Sequence, residues 1–314
     1  MNDGVLNTPS PVLPVGASRA HRLGFGSMQL TGPGHWAAPD NPEQAMQVLR
    51  DAVDAGVTHI DTADAYGPFT AENYIRKALH PYRDGLVIAT KGGLTRQGPD
   101  RWAPCGRPEY LRQCVEMSLR RLQVERIDLY YLHRIDPAIP LEDQLAVLVE
   151  MQNEGKIHHI GLSKVTVSQI CRARELVIVA AVQNKYSVGN RVHEDVLQYC
   201  TQHEIPFIPY APLAAGQLLH TDGRLARLSE SRGITPAQLA LAWLLNASPA
   251  MMPIPGTSRT VHLAENLSAA QIDLDTDELD EIARATARRH VAHPRRRDRA
   301  AAPTARSDGP SAST

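Results

Sequence analysis

The sequence predicts an α/β protein, a single-domain (β/α)8 barrel of the TIM type. Short apolar runs alternate with amphipathic helical patterns along most of the chain, which is typical of βαβ units with parallel strands. The 314 residues suffice for such a barrel, which takes about 250 residues. A doubly wound open sheet is the alternative, but the segment "GFGSMQLTGPG" after the first run lacks the G-x-G-x-x-G spacing of dinucleotide-binding sheets.

Eight apolar runs are the candidate strands of this barrel, and the first and last of them carry the weakest signal. The runs span residues 22–28, 57–63, 86–91, 127–133, 157–163, 179–184, 206–212 and 251–255.

Helix boundaries are marked between these runs. Residues 41–44 read "NPEQ", an N-cap followed by a proline at the first helical position and a capping-box glutamine, and Gly56 marks the end of that helix. The same start signal recurs at 235–238 as "TPAQ". Apolar residues at helical spacing predict further helices over 111–122 and 141–155.

The two ends of the chain differ from this pattern. Residues 1–18 are rich in Pro, Ser, Asn and Gly and predict a flexible leader, and residues 19–287 form the predicted barrel. Residues 288–314 are rich in Arg, Ala, Pro and Ser and predict a disordered basic tail. The run 295–297 of that tail can contact an anionic partner, but a solvated tail is the favoured interpretation.

Composition narrows the function classes. The net charge of −1 offers no electrostatic case for a nucleic-acid partner. The four cysteines show neither C-x-x-C nor Cys/His ligand spacing, so we expect no metal site and no disulfide framework. Neither a signal peptide nor a run of about 18 apolar residues is present, so we expect no membrane partner and a cytoplasmic location. The oligomeric state stays open.

Four polar residues lie at the carboxyl ends of three successive candidate strands. They are Asp61, Tyr66, Lys91 and His133. Each alone has an ordinary explanation, such as a turn cap, a loop aromatic, a solvated strand end or a core histidine. Because barrel active sites are built at the carboxyl ends of the strands, their ordered placement predicts that they converge at the mouth.

The four side chains suit proton donation to a carbonyl oxygen. A tyrosine has an ordinary pKa of about 10, too high for efficient donation near neutrality, and a neighbouring ammonium lowers it. We expect Asp61 to hold Lys91 charged, Lys91 to act on Tyr66, and His133 to position the carbonyl oxygen. Hydride would then have to reach the carbonyl carbon from another source.

Several segments resemble the aldo-keto reductase superfamily, in order and in spacing, over about residues 19–287. The matching segments are "GVTHIDTADAYG", "VIATKGG", "RIDLYYLHRID", "EGKIHHIGLS", "VQNKYS" and "IPGTS" with "AEN". The resemblance implies an NAD(P)H-dependent oxidoreductase that acts on a small-molecule carbonyl substrate. It also implies that Tyr66 is the general acid/base, assisted by Asp61, Lys91 and His133.

The same resemblance implies a set of cofactor-binding residues. Ser163 and Gln183 would hold the nicotinamide carboxamide, Tyr210 would stack on the ring, and the segment 212–219 would cover the pyrophosphate. The last candidate strand leads into a helix start, which is a common phosphate site in barrels, and Arg259 and His262 offer charge for a 2′-phosphate. We therefore expect NADP(H) in preference to NAD(H). The remaining predicted cofactor contacts are Pro212, Leu213, Gly216, Gly256, Thr257, Ser258, Glu265 and Asn266.

One position departs from the family pattern. Relatives usually carry an asparagine after "GLS", and this chain carries Lys164. The asparagine amide helps to hold the nicotinamide carboxamide, whereas a lysine is longer, charged and only donates hydrogen bonds. We expect Lys164 to alter the cofactor contact without abolishing it.

The substrate pocket is predicted from loops at the same end of the barrel. Its candidate residues are Met28, Trp36, Trp102 and Arg134. The tryptophans favour an apolar or aromatic substrate, or they anchor their loops. Two other functions stay open on sequence: a cofactor-binding redox sensor or regulatory subunit with little turnover, and a Schiff-base aldolase that uses Lys91.

Overall fold

The computed structural model describes residues 22–216 and 224–286, so the predicted leader (1–18) and tail (288–314) lie outside the described residues. Seven parallel strands form one sheet in the order β1-β2-β3-β6-β7-β8-β9, and β4 and β5 form an antiparallel hairpin. The strands are β1 Phe25–Gly26, β2 His59–Asp61, β3 Val87–Gly92, β4 Leu94–Arg96, β5 Trp102–Pro104, β6 Ile127–Leu132, β7 Ile157–Ser163, β8 Val179–Lys185 and β9 Phe207–Tyr210.

Helices follow the strands and pack outside the sheet. They are α1 Pro42–Asp54, α2 Thr70–Leu79, α3 Pro108–Leu122, α4 Leu141–Asn153, α5 Val167–Arg174, α6 Glu194–Gln202, α7 Arg224–Glu230, α8 Pro236–Ala247, α9 Thr260–Ser268 and α10 Thr276–Thr286. The "TPAQ" signal forms a full capping box between Thr235 and Gln238. The "NPEQ" signal forms only half of one, because the Gln44 side chain accepts from the Asn41 side-chain amide and not from its backbone.

The eighth predicted strand, residues 251–255, closes the barrel without forming a regular strand. On one side the Met252 amide donates to the Phe207 carbonyl (2.9 Å) of β9. On the other side the Gly24 amide donates to the Pro253 carbonyl (3.0 Å) and the Gly26 amide to the Pro255 carbonyl (3.3 Å). Pro253 and Pro255 have no N–H to donate, so these two residues can only accept hydrogen bonds. The segment therefore cannot form a complete ladder.

Three further boundaries differ from the prediction. The first strand is only two residues long because Ser27–Leu30 forms a turn of 3₁₀-helix. The run 206–212 stops being a strand at Tyr210. Between the candidate strand 86–91 and the predicted helix 111–122 lies the hairpin β4–β5, which was not predicted and in which Arg96 pairs with Trp102. The expected (β/α)8 fold and single domain are confirmed. Within the described residues, no helix has the length and apolar content needed to cross a bilayer.

Strand alternation determines which side chains reach the mouth. Successive side chains of a strand point to opposite faces, so Ala89 and Lys91 share one face, as do Leu129, Tyr131 and His133. The lower members of both sets belong to one apolar cluster inside the barrel. Lys91 and His133 therefore form the top layer of the interior, where the barrel opens.

Candidate active site

A buried ion pair lies at the centre of the mouth. The Lys91 ammonium is fully buried and its Nζ donates to Asp61 Oδ1 (2.6 Å), to the Thr62 carbonyl (2.7 Å) and to Tyr66 Oη (3.4 Å). An ammonium has three N–H donors, and each has an acceptor here. The charge is thus held at a fixed point between a carboxylate and a phenol.

The loop after β2 folds back over β3 and delivers Tyr66 to Lys91. The Asp64 amide donates to the Lys91 carbonyl (3.1 Å), and the Tyr66 amide donates to the Ala63 carbonyl (3.2 Å). Gly67 then takes a left-handed conformation (φ +74°), in which an added Cβ would lie 2.6 Å from Thr70 Cβ. The tight turn after Tyr66 therefore requires glycine.

Charge and burial determine the protonation states of this cluster. Burial raises the pKa of the Tyr66 phenol, and the charge of Lys91 acts in the opposite direction. The lowering by Lys91 that the sequence predicts is thus present, but the opposing effect of burial, which the sequence does not reveal, is larger. Burial also opposes the Lys91 charge, but Asp61 and Tyr66 together raise the pKa of its ammonium. Tyr66 thus keeps its proton at neutral pH, and Lys91 keeps its charge.

His133 completes the cluster as a neutral imidazole. Burial lowers its pKa well below the usual value, and the charges of Arg134, Lys91 and Arg96 add to that effect. Its ring lies edge-on to the Tyr66 ring, with centroids 6.0 Å apart. Its Nδ1 is buried without a hydrogen-bond partner in the described part of the chain.

Three contacts of this region, to the buried carboxylates of Asp61 and Glu72, could not be predicted from the sequence. Gln183 Nε2 donates to Asp61 Oδ2 (2.8 Å) across the barrel, so both carboxylate oxygens of Asp61 are engaged. Behind the site, Glu72 accepts from Thr90 Oγ1 (2.6 Å) and forms an ion pair with Arg121. Glu72 lies on the buried face of α2, and a carboxylate among apolar helix positions is the signal that would have found it.

Asp64 lies beside this second ion pair. Burial raises the pKa of its carboxyl to about 7, and the neighbouring Glu72 adds to the increase. Two residues before Tyr66, the structure thus holds a carboxyl group that titrates near neutral pH.

Three of the predicted pocket residues lie on one side of Tyr66. Met28 and Trp102 pack against the small cluster that contains Tyr66, and the Trp102 and Tyr66 rings meet edge-on with centroids 6.4 Å apart. The guanidinium of Arg96, which sequence reasoning missed, lies 3.5 Å from the Trp102 ring centroid and 5.5 Å from that of Trp36. These side chains form an aromatic wall.

The fourth pocket residue, Arg134, lies on the opposite side of the mouth. Its Nη1 donates to Ser163 Oγ (3.0 Å), and its guanidinium carbon lies 5.8 Å from the Tyr210 ring centroid. Ser163 on β7 pairs in register with Gln183 on β8, and β8 pairs with β9, which ends at Tyr210. The structure therefore brings the three predicted nicotinamide contacts together.

Two parts of the predicted cofactor site lie further out. Pro212, Leu213 and Gly216 follow β9, and the rest of the predicted pyrophosphate loop, 217–219, lies outside the described residues. The loop before α9 presents exposed Ser258 and Arg259, and His262 is exposed on the first turns of the helix.

The remaining residues of this outer region are held by the fold. An added Cβ on Gly256 would lie 2.5 Å from the Gly26 carbonyl, so this glycine allows the eighth segment to pack on β1. Thr257 Oγ1 accepts from the Arg259 amide (3.1 Å). Glu265 accepts from the Thr235 hydroxyl, and Asn266 is buried.

Lys164 has an unusual backbone conformation. Its φ is +56°, in the left-handed region, and its amide donates to the Gln183 carbonyl (2.8 Å). Among residues other than glycine, asparagine and aspartate tolerate this region best. The position thus favours asparagine for its backbone as well as for its amide side chain.

A mouth of this kind defines a class of barrel oxidoreductases, and the comparison with known proteins agrees. Residues 22–287 match the profile of the Aldo/keto reductase family, and the chain belongs to that family. The resemblance inferred from the sequence motifs is therefore confirmed.

Two proteins are similar to this chain in sequence over most of their length. An uncharacterised oxidoreductase of Schizosaccharomyces pombe is 48% identical over 263 residues, covering 84% of this chain and 86% of the relative. Pyridoxine 4-dehydrogenase of Escherichia coli is 39% identical over 274 residues, covering 85% of this chain and 96% of the relative.

Solved structures show the same fold. The glycerol dehydrogenase of Gluconobacter oxydans matches with a TM-score of 0.79 at 25% identity, over 94% of this chain and 98% of its own. An aldo-keto reductase of Klebsiella pneumoniae in complex with NADPH matches with a TM-score of 0.71 at 30% identity, over 84% of this chain and 90% of its own.

Proposed function

We propose that the protein reduces aldehydes or ketones to alcohols with NADP(H), and that Tyr66 supplies the proton. The observation that carries this proposal is the buried Lys91 ammonium, which contacts both the Asp61 carboxylate and the Tyr66 hydroxyl. The arrangement provides a proton donor and, next to it, a fixed positive charge for the phenolate that donation creates.

The side chains divide the work at the carbonyl oxygen. The neutral His133 ring donates a hydrogen bond that orients the oxygen toward Tyr66. As negative charge develops on that oxygen, the phenol transfers its proton, and Lys91 stabilises the resulting phenolate. Because Asp61 is bound by both Lys91 and Gln183, the ammonium keeps its position during the transfer.

The outer residues suit NADP(H). Thr257 and Ser258 bring hydroxyl groups to the start of α9, and Arg259 and His262 bring cationic or hydrogen-bonding groups for a 2′-phosphate. Ser163, Gln183 and Tyr210 would hold the nicotinamide, and Gln183 keeps its amide oxygen for the carboxamide because its Nε2 is bound to Asp61. The cofactor supplies the hydride for the carbonyl carbon. One structural relative was solved with NADPH.

Pyridoxal is the first substrate to test. A relative that is 39% identical carries the name pyridoxine 4-dehydrogenase. Trp102 and Met28, which pack against the cluster that contains Tyr66, offer apolar surface to a ring. The cytoplasmic location expected from the sequence stays a prediction.

Substitution of Tyr66 by Phe tests the proposal. We expect the kcat for NADPH-dependent pyridoxal reduction to fall by about 10²- to 10⁴-fold, because the proton donor is lost. The Kd for NADPH, measured by fluorescence titration, should stay within about twofold because the substitution removes no cofactor contact. Tyr199→Phe, on the outer helix α6, is the matched control and should retain full activity. Full activity of Tyr66→Phe would contradict the assignment.

A further inference from the structure

Arg134 is a half-buried cation at the reacting centre. It follows His133 directly at the end of β6, and its charge acts on both His133 and Tyr66. In the part of the chain that the structure describes, both of its hydrogen bonds use Nη1, which donates to Ser163 Oγ and to the His133 carbonyl. Neither acceptor carries a formal charge.

No carboxylate of the described residues lies within 4 Å of the Arg134 guanidinium. Other arginines of the fold differ in this respect: Arg121 pairs with the buried Glu72, and Arg112 with two surface glutamates. A guanidinium that is partly removed from water normally gains a carboxylate or phosphate in exchange. Within residues 22–216 and 224–286, the positive charge of Arg134 is therefore unmatched.

A second arginine, Arg96, shows that a location beside the active site does not by itself leave guanidinium donors free. Arg96 flanks the same centre from the other side and also lacks a carboxylate partner within the described ranges. However, its Nε, Nη1 and Nη2 all donate to backbone carbonyls, among them those of Gly34, His35 and Arg101. The Arg96 guanidinium is thus fixed by the backbone and has a structural role in the pocket wall.

Arg134, in contrast, keeps Nε and Nη2 without an acceptor in the described part of the molecule. These two nitrogens form one edge of the guanidinium plane, and this edge matches the two oxygens of a carboxylate or a phosphate. We propose that Arg134 makes the enzyme selective for carbonyl substrates that also carry an oxyanion, which is either a carboxylate or a phosphate. This inference rests on the proposed function, since it assigns the substrate class of the same site.

Matched pairs of aldehydes test the selectivity. The full chain would be assayed with NADPH on 3- and 4-formylbenzoate and on the corresponding neutral formylbenzamides. We expect the wild type to prefer the carboxylate by at least about tenfold in kcat/KM, as for a charge-assisted contact. In Arg134→Gln the ratio of the two kcat/KM values should fall to near one, and Arg134→Lys should retain part of it. The control Arg174→Gln, on the outer helix α5, should keep the wild-type ratio.

A second pair separates the two oxyanion sources. Pyridoxal 5′-phosphate and pyridoxal differ by the phosphate alone, so a ratio that depends on Arg134 in this pair only would identify phosphate as the group bound. A wild-type ratio near one in both pairs would overturn the proposal. It would also be overturned if Arg134→Gln lowered both members of each pair equally and weakened NADPH binding, because Arg134 would then serve the cofactor.

A binding measurement separates failure of this inference from failure of the proposed reaction. Calorimetric titration of benzoate and benzamide into the protein with NADP⁺ requires no turnover. We expect the wild type to bind benzoate at least about tenfold more tightly than benzamide. The Arg134→Gln variant should bind the two ligands with about equal affinity. If benzoate binds in this way but no aldehyde is reduced, the proposed reductase activity is refuted and the oxyanion site is retained. Equal binding of the two in the wild type would refute the site.

Discussion

The two sides of the barrel mouth are built differently. On the side of β2, β3 and β6, Asp61 and Lys91 are buried and bind each other, and Tyr66 contacts Lys91. On the side of α9, Arg259 and His262 extend into solvent. On the first side the charged groups are fixed by contacts within the protein. On the second side they are exposed to solvent and accessible to a ligand. The groups proposed for catalysis are thus pre-organised, whereas those proposed to bind the cofactor phosphate are accessible.

This difference predicts how substitutions behave. A change on the buried side leaves a charge without its partner and affects both stability and turnover. A change on the exposed side removes a contact that water can replace and affects ligand affinity alone. Four substitutions test the contrast, in order of decreasing effect.

Lys91→Met should have the largest effect. Asp61 would lose its cation and Tyr66 the charge that stabilises its phenolate, so we expect kcat to fall by about 10³-fold and the free energy of unfolding by about 3–5 kcal/mol. Steady-state kinetics and thermal unfolding measure the two quantities. Lys77→Met, an exposed position on α2, is the control. Activity within tenfold of the wild type would show that the ion pair does not support the chemistry.

Asp64→Asn should change how stability depends on pH. The folded-state pKa of Asp64 is raised to about 7, above its unfolded value. The group therefore contributes stability that is fully present below about pH 4 and is lost as the pH rises through about 7. Between these limits the wild type should lose up to about 1.4 kcal/mol per pH unit through this carboxyl, and the asparagine variant should lose less. Urea unfolding from pH 4.5 to 7.5 measures the slopes, and parallel curves would contradict the prediction.

Arg259→Ala tests the exposed side. We expect the Kd for NADPH to rise by about tenfold and that for NADH to change by less than about twofold, because only NADPH carries the 2′-phosphate. The melting temperature should not change, since the side chain is exposed. Arg120→Ala, exposed on α3, controls for the loss of one surface charge. A large loss of stability in Arg259→Ala would remove the distinction between the two sides.

Lys164→Asn should have the smallest effect and the opposite sign. Asparagine suits the left-handed backbone at this position, so we expect the free energy of unfolding to rise by about 0.5–1 kcal/mol. Its amide should also tighten NADPH binding by about two- to threefold. Lys164→Ala separates the two contributions, because alanine has neither the amide nor the backbone preference. Equal NADPH affinities of the wild type and Lys164→Asn would exclude a role of this residue in cofactor binding.

Features that depend on local sequence pattern could be predicted from the sequence. Alternating strands and helices gave the barrel, and strand ends gave the positions of Asp61, Lys91 and His133. Features that depend on residues far apart in the chain could not be predicted, such as the hydrogen bond from Gln183 to Asp61 or the ion pair of Glu72 with Arg121. The effect of burial on the pKa of Tyr66 could not be predicted for the same reason, because the degree of burial is a property of the assembled fold.

The segment with Pro253 and Pro255 gives the barrel a seam. It accepts hydrogen bonds from Gly24 and Gly26 at the start of the barrel, and it leads directly into Gly256 and the loop before α9. The last contacts that complete the ring are therefore made by the same short stretch that begins the proposed phosphate site. A substitution that loosens this segment would therefore disturb the closure of the barrel and the proposed phosphate site together.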